Sequence, residues 1–115
     1  MAISIPEEYF LHVLSNLIDN AIKYAKSEID ITISTKTISN KMIITIQDKG
    51  IGMSSDTVKH IFEKFYRAHS GNVHDVKGYG LGMSYVKWVI DTHKGQITVH
   101  SEIGVGTSIE IILPN

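Results

Sequence analysis

The stretch from residue 10 to residue 25 constrains the fold most strongly, because it carries two neighbouring stripes of an α-helix. The first stripe is apolar, and its members recur at intervals of three and four residues: Phe10, Leu14, Leu17, Ala21 and Ala25. Since each residue turns a helix by about 100°, three polar residues fall together on a second stripe, and Tyr24 lies between the two. The polar residues are Asn16, Asn20 and Lys23. We therefore predict a long helix that packs its apolar stripe on a core.

The polar stripe has two interpretations. Asparagine is a middling helix former, so two of them one turn apart need an explanation. The simpler explanation is a solvated helix surface. The other is a row of amide oxygens and one cation that faces a cleft beside the core. Amide oxygens suit a hard cation such as Mg²⁺, and a lysine suits phosphate. The helix alone leaves both interpretations open.

The bulk composition limits the classes of protein that the sequence can encode. A chain of 115 residues is long enough for one domain with one core, and we take residues 1–115 as that domain. The formal net charge of −1 argues against a broad basic surface for nucleic acid. The chain has no cysteine, which excludes disulfides, and no apolar run approaches the roughly 20 residues that span a bilayer. We expect a soluble, intracellular domain with no nucleic-acid partner and no direct membrane contact.

Segments that alternate between apolar and polar residues predict four strands: residues 29–35, 42–46, 96–101 and 107–113. The turn residues Ser39 and Asn40 join the first two as an antiparallel hairpin, and a glycine turn at residues 104–106 joins the last two. Residues 3–5 are a further candidate, the stub of a strand.

Start and stop signals place three helices among these strands. Pro6 opens the first helix, which should run to about Lys26, and Ser54 caps a short second helix. A long third helix follows the glycines at residues 78–82 and ends at Gly95, for which we expect a left-handed cap conformation.

Two glycine-rich loops allow a ligand to approach the backbone. Asp48 ends the second strand, and Gly50 and Gly52 follow it, so a carboxylate stands where it can accept a hydrogen bond from a bound amine. Residues 78–82 run into a helix N-terminus, whose free N–H groups and dipole favour an anion. Their spacing is not that of the dinucleotide-binding fingerprint, which requires a strand directly before its glycines. Taken alone, the loop that follows Asp48 is better explained as an ordinary strand-to-helix turn.

Taken in order, these motifs resemble the ATP-binding catalytic domain of sensor histidine kinases. The asparagine box of that family matches the polar stripe of the first helix, and its three glycine boxes match residues 48–52, 78–82 and 104–107. Its phenylalanine box matches the segment that ends at Arg67. The resemblance covers residues 6–114. It implies the Bergerat fold of the GHKL superfamily, an α+β two-layer sandwich whose mixed, mostly antiparallel sheet is covered on one face by three helices.

The resemblance also implies roles for individual residues. Asn20 would ligate Mg²⁺, and Asn16 would lie beside it near the phosphates of ATP. Lys23 would contact phosphate, and Tyr24 would lie along the adenine. Asp48 would accept a hydrogen bond from the exocyclic amine of adenine, and it would exclude guanine because the guanine carbonyl would face a carboxylate.

Further nucleotide contacts are implied around the base and the phosphates: Gly50, Ile51, Gly52, Ile61, Tyr66, Gly78, Tyr79, Gly80, Leu81, Gly82 and Thr107. Arg67 would also bind the nucleotide and is the candidate for stabilising charge on the transferred γ-phosphoryl group, with Lys23 as a second catalytic candidate. Residues 68–79 would form a mobile lid over ATP. Tyr79 replaces the threonine often found in the family, which bears on lid packing.

The activity implied is that of a protein histidine kinase, which transfers the γ-phosphoryl group of ATP to a histidine on a separate dimerisation domain. A response regulator would be an indirect partner, and the domain would lie in the cytoplasmic part of a membrane-anchored sensor. ATPases and serine kinases of the same fold place a glutamate one turn before the metal-binding asparagine. Here that position is Asn16, whose amide cannot take a proton, and Asp19 projects about 100° away from Asn20. A GHKL-type ATPase and a catalytically silent nucleotide-binding module are the competing hypotheses.

None of the six histidines matches the acceptor motif of the family, since His74 has the following acid but lacks the proline. We therefore expect the acceptor histidine to lie outside residues 1–115. A metal site formed by His74 with His69 and Asp75 is a minor alternative. Tyr85 and Trp88 of the third helix and the segment with Phe62 and Phe65 are candidates for docking the acceptor domain, and simple packing in the core is an equally good explanation for each of them.

Overall fold

The computed structural model of the protein describes residues 5–63 and 82–114. These residues form three helices and four strands: α1 (Glu7–Lys23), β1 (Ile31–Ile38), β2 (Lys41–Asp48), α2 (Ser55–His60), α3 (Gly82–Thr92), β3 (Gln96–Glu102) and β4 (Gly106–Pro114). Most of the candidate strand stub at residues 3–5 and all of the candidate lid at residues 68–79 lie outside the described residues.

The four strands form one sheet in the order β1, β2, β4, β3, and every neighbouring pair is antiparallel. Ser39 and Asn40 join β1 to β2 with φ angles of 47° and 63°, which are those of a type I′ hairpin turn. β4 lies beside β2, and its Thr107 pairs with Asp48, which is 59 residues away in sequence. Both predicted hairpins are therefore present. Their pairing places Asp48, the first residue of the first glycine box, beside Thr107, the last residue of the third.

The core lies between one face of the sheet and two long helices. Alternate residues of β2 and β4 are aliphatic and buried: Ile44, Ile46, Ile109, Ile111 and Leu113. They form one apolar cluster with buried residues of α1 and α3: Val13, Leu17, Val86, Val89 and Ile90. The predicted α+β two-layer architecture is confirmed. Within residues 5–63 and 82–114, no helix has the length and apolar content that crossing a membrane requires.

Two helix ends differ from the prediction. α1 ends at Lys23 rather than near Lys26, and the next carbonyl, that of Tyr24, accepts a hydrogen bond from Ile51 N at 2.8 Å instead of continuing the helix. After α3, the left-handed residue is Lys94 with a φ of 62°, so the predicted left-handed conformation of Gly95 is wrong. Gly95 is required for close packing instead, because a Cβ there would lie 2.8 Å from a backbone carbonyl oxygen of β4.

Two glycines at the β3–β4 connection have different surroundings: Gly104 lies in the turn, and Gly106 is the first residue of β4. Gly104 has a φ of 85°, and a Cβ there would meet no described atom within 4 Å. Gly106 has a φ of 140°, and a Cβ there would lie 2.1 Å from the carbonyl oxygen of Asp48. The close packing of β4 on β2 at this point therefore requires glycine at position 106, because any side chain would collide with Asp48.

We expect Gly106→Ala to destabilise the domain much more than the matched variant Gly104→Ala. Gly104→Ala should lower the free energy of unfolding by roughly 1–2 kcal/mol, because only its backbone conformation is unfavourable. Gly106→Ala should lower it by more than about 3 kcal/mol, because it adds a collision with the backbone to a conformation that is almost restricted to glycine. Urea denaturation followed by circular dichroism measures both values, and equal losses would contradict the packing of Gly106 on Asp48.

Candidate functional site

Asp48 ends β2 and presents its carboxylate at the edge of the core. Its Oδ1 accepts two backbone hydrogen bonds, from Gly50 N at 2.9 Å and from Thr107 N at 3.3 Å. The residue is only 9% exposed, so these bonds hold the side chain in one orientation. No hydrogen bond joins Oδ2 to any residue of the described part, and no fully enclosed side-chain oxygen there lacks a partner. Oδ2 is therefore reachable from outside and available to a donor of a ligand.

The loop after Asp48 packs closely between the end of α1 and β3. A Cβ at Gly50 would lie 2.2 Å from the carbonyl oxygen of Tyr24, and the same oxygen accepts a hydrogen bond from Ile51 N at 2.8 Å. Gly52 has a φ of 77°, and a Cβ there would lie 2.1 Å from the carbonyl oxygen of Glu102. Both glycines of the predicted box are thus required by close backbone contacts, and the loop has one position relative to α1 and β3.

The β3–β4 hairpin holds the loop from its other side. Met53 N donates to the hydroxyl of Ser101 at 2.8 Å, and Gly104 N donates to the carbonyl oxygen of Ile51 at 2.8 Å. The sequence analysis did not select Ser101. Its register partner is Thr107, and this register between β3 and β4 is what places Ser101 at the site.

The polar stripe of α1 lies between this loop and the start of α3. Asn16 and Asn20 are half-buried, whereas Lys23 is exposed and its ammonium lies 5.5 Å from the centroid of the Tyr24 ring. Gly82, the first residue of α3, is close to Asn16, because a Cβ there would lie 3.7 Å from Asn16 Oδ1. The stripe therefore extends from the last glycine of the second glycine box to the loop that follows Asp48. At a rise of 1.5 Å per residue, Asn16 and Tyr24 are about 12 Å apart along the helix.

The two asparagines fit a magnesium ion that also binds phosphate. Mg²⁺ prefers oxygen ligands and in nucleotide sites takes one or two from the protein, with phosphates and waters filling the other positions. The half-buried Asn16 and Asn20 offer such oxygens. Within the described ranges, no cluster of three histidine, aspartate or glutamate residues could hold a metal. A site in which the phosphates supply further ligands is compatible with these two amide oxygens.

A cavity of about 470 Å³ opens at the same end of the sheet. Asp48 and Thr107 line it together with Gln47, Lys49 and His100, and Asn20 does not. This cavity therefore does not connect Asp48 to Asn20. The connection runs through the backbone of Tyr24, whose N–H donates to Asn20 O at 3.2 Å and whose carbonyl oxygen accepts from Ile51 N.

The other residues predicted to contact the nucleotide fall into three groups by their location. Ile61 is buried in the core at 8% exposure, and Ile51 keeps about half of its surface exposed. Thr107 and Gly50 lie directly at Asp48. The remaining predicted residues lie outside the described ranges: Tyr66, Arg67, Gly78, Tyr79, Gly80 and Leu81. The alternative metal site at His69, His74 and Asp75 lies outside them as well.

An aromatic surface lies on α1 and α3. The Tyr85 ring centroid is 6.1 Å from that of His12 and 6.2 Å from that of Trp88, which is 57% exposed. Burial raises the pKa of Tyr85, and the nearby Tyr9 and Glu8 raise it further because a phenolate would be repelled by negative charge. Tyr85 therefore stays a neutral hydrogen-bonding phenol at physiological pH. The docking role of this surface stays a prediction.

Comparison with known proteins gives a consistent assignment. The family model of the histidine kinase-, DNA gyrase B-, and HSP90-like ATPases matches residues 6–115. Sensor protein RprX of Bacteroides fragilis is 49% identical over 110 residues, which are 94% of this chain and 21% of that protein. Sensor histidine kinase RppB of a Synechocystis species is 39% identical over 110 residues, which are 94% of this chain and 24% of that protein. The chain thus spans roughly a fifth to a quarter of these relatives.

Solved structures agree with the sequence relatives. The mycobacterial sensor histidine kinase MprB superposes with a TM-score of 0.83 at 26% identity, over 97% of this chain and 76% of that one. The histidine kinase AdeS of Acinetobacter baumannii superposes with a TM-score of 0.72 at 26% identity, over 93% of this chain and 46% of that one. The chain therefore belongs to the histidine kinase-, DNA gyrase B- and HSP90-like ATPase family, as an ATP-binding domain of the sensor histidine kinase type.

Proposed function

We propose that this domain binds Mg·ATP and transfers its γ-phosphoryl group to a histidine on a separate dimerisation domain of the same receptor. The observation that carries the proposal is the anchored carboxylate of Asp48. It lies at the position where the family resemblance implies a contact with the adenine base. The named relatives, a sensor protein and a sensor histidine kinase, are much longer than this chain, which supports a partner domain in the same receptor. A response regulator would receive the phosphoryl group afterwards, and the domain would work in the cytoplasm.

Asp48 would read the adenine base. Oδ1 is occupied by two backbone N–H groups, so the side chain offers one further acceptor, Oδ2, in a constant position. The exocyclic amine of adenine is a donor and matches this oxygen, whereas the carbonyl of guanine at the same place would meet a negative charge. Tyr24 and Thr107, which contact the same loop or Asp48 itself, would border the base.

The polar stripe of α1 would carry the phosphate end of the site. Asn20 would hold Mg²⁺, Asn16 would lie near the phosphates beside Gly82, and Lys23 would approach them once its side chain leaves the Tyr24 ring. The ion would neutralise charge on the phosphates, as bound magnesium does in phosphoryl-transfer sites. Arg67 and residues 78–82 remain part of the proposal on the strength of the family resemblance.

Transfer to histidine is favoured over hydrolysis by the residue at position 16. An ATPase of this family uses a carboxylate there to take a proton from the attacking water, and the amide of Asn16 cannot do so. Asp19 is exposed on another face of α1 and is a poor substitute. A histidine nitrogen is a better nucleophile than water and does not need this base. The family name includes ATPases, so hydrolysis remains the second candidate and is tested directly below.

Asp48→Asn should weaken ATP binding by about 10- to 100-fold, because it changes the accepting oxygen into an amide donor while keeping the shape. The remaining amide oxygen can still accept from Gly50 N and Thr107 N, so the free energy of unfolding should change little. Isothermal calorimetry with Mg·ATP gives the dissociation constants. Asp30→Asn is the matched control, because Asp30 is an exposed carboxylate 3.9 Å from Lys49 Nζ. Unchanged affinity in Asp48→Asn would remove Asp48 from the base site.

Asn20→Ala should abolish the contribution of magnesium to nucleotide affinity. The parent domain should bind ATP more tightly with Mg²⁺ than with a chelator present, and the variant should bind it about equally in the two conditions, because the ion has lost its protein ligand. Asp19→Ala, one residue away on another face of α1, should keep the parent difference. The same magnesium dependence in Asn20→Ala as in the parent would assign the ion to another residue.

The domain should phosphorylate a histidine when the dimerisation hairpin of its receptor is added. With γ-labelled ATP, the label should appear on the hairpin as an acid-labile, base-stable phosphohistidine, and a hairpin without its acceptor histidine should stay unlabelled. The isolated domain should release phosphate slowly, since it lacks the general base of an ATPase. Rapid release of phosphate at the same rate with and without the hairpin would instead establish the hydrolase.

A further inference from the structure

We propose that Ser101 is a positioning residue for the base end of the nucleotide site, an inference that rests on the proposed function. Ser101 lies on β3, directly opposite Thr107 of β4, and its half-buried side chain points to the core side of the sheet. Its hydroxyl contacts three groups: Met53 N at 2.8 Å, Thr107 Oγ1 at 2.8 Å and the carbonyl oxygen of Gly106 at 3.1 Å. The Ser101 hydroxyl thus joins the loop after Asp48 to β4.

The Thr107 hydroxyl has two possible hydrogen-bonding arrangements, which depend on the group to which Ser101 donates its proton. Met53 N can only donate, so one lone pair of Ser101 Oγ is occupied. If Ser101 donates its single proton to Gly106 O, the Thr107 hydroxyl can donate to Ser101 and keeps lone pairs for a ligand donor. If Ser101 donates to Thr107 instead, Thr107 has its own proton left for a ligand acceptor. One rotation of Ser101 thus changes what Thr107 offers to the base.

Thr107 transmits this arrangement to the carboxylate. Its backbone N–H donates to Asp48 Oδ1 at 3.3 Å, so the backbone that Ser101 supports also orients Asp48. On the other side, the Met53 bond holds the end of the loop whose beginning, Gly50, donates to the same Oδ1. Ser101 therefore connects the two segments that orient the base-reading oxygen without approaching Asp48 itself.

A purely structural role for Ser101 makes a different prediction from a positioning role. A cross-strand serine–threonine pair stabilises a sheet. If this were its only role, losing the pair would weaken the binding of all nucleotides in proportion to the loss of folded protein. A positioning role acts at the base end of the site. Loss of the Ser101 hydroxyl should then weaken the binding of ATP more than that of inosine triphosphate, whose carbonyl replaces the exocyclic amine. The ratio of the two affinities therefore separates the roles, because an effect on folding alone leaves that ratio unchanged.

We expect Ser101→Ala to bind Mg·ATP about tenfold more weakly than the parent domain, because Met53 N and the Thr107 hydroxyl lose their partner. Its preference for ATP over inosine triphosphate should fall by a similar factor. Ser101→Thr keeps the hydroxyl and suits a strand, so it should restore most of both values. Ser108→Ala is the matched control, since Ser108 adjoins Thr107 on β4 and points to the opposite face of the sheet. Calorimetry measures the affinities, and thermal unfolding checks that each variant is folded.

Three results would overturn the inference. Parent-like ATP affinity in Ser101→Ala would exclude any role in binding. An equal loss for ATP and inosine triphosphate would make Ser101 structural only, and a failure of Ser101→Thr to recover the preference would show that the hydroxyl is not the active feature. Absence of ATP binding by the parent domain is a separate result, which would refute the proposed function.

Discussion

The site depends on one oxygen atom, Asp48 Oδ1, which accepts backbone hydrogen bonds from two segments that are distant in sequence. A nearly buried carboxylate is costly to desolvate unless donors compensate it. Gly50 N and Thr107 N provide that compensation at 2.9 Å and 3.3 Å. The same bonds tie the loop after β2 to the beginning of β4. The second oxygen is left as a single acceptor in a constant direction, which is what the recognition of one amine requires.

Close backbone contacts make this arrangement possible. At Gly50, Gly52 and Gly106 a Cβ would lie 2.1 or 2.2 Å from a carbonyl oxygen of another segment. No real side chain tolerates such a distance, so the loop, α1 and the β3–β4 hairpin approach one another only because these positions are glycine. The first and third glycine boxes are thus required by the fold itself, independently of any ligand. They let three elements converge on Asp48.

The sequence predicted the elements better than the contacts between them. Periodicity located α1, both hairpins and the buried face of the sheet, because burial follows directly from the spacing of apolar residues. The proposed role of Asp48, by contrast, rests on the family resemblance, since an aspartate followed by two glycines also occurs in ordinary turns. Ser101 was missed because its importance arises from its register with Thr107 and from a bond to Met53, 48 residues away. Alternation shows which face a residue occupies, whereas its neighbours depend on strand order and on loop closure.

Burial also bears on the two interpretations of the polar stripe. A solvated stripe would leave Asn16, Asn20 and Lys23 equally exposed, whereas both asparagines are half-buried and only the lysine is exposed. Asn16 faces the first residue of α3, and the helix leads from there to the loop of Asp48. This favours the cleft interpretation, with the neutral amide of Asn16 at the position where the family resemblance implies a carboxylate in a hydrolase. An amide can hold an ion or a phosphate oxygen but cannot take a proton. Under the proposed function, α1 would therefore bind the triphosphate, and activation of the nucleophile would fall to the partner that carries it.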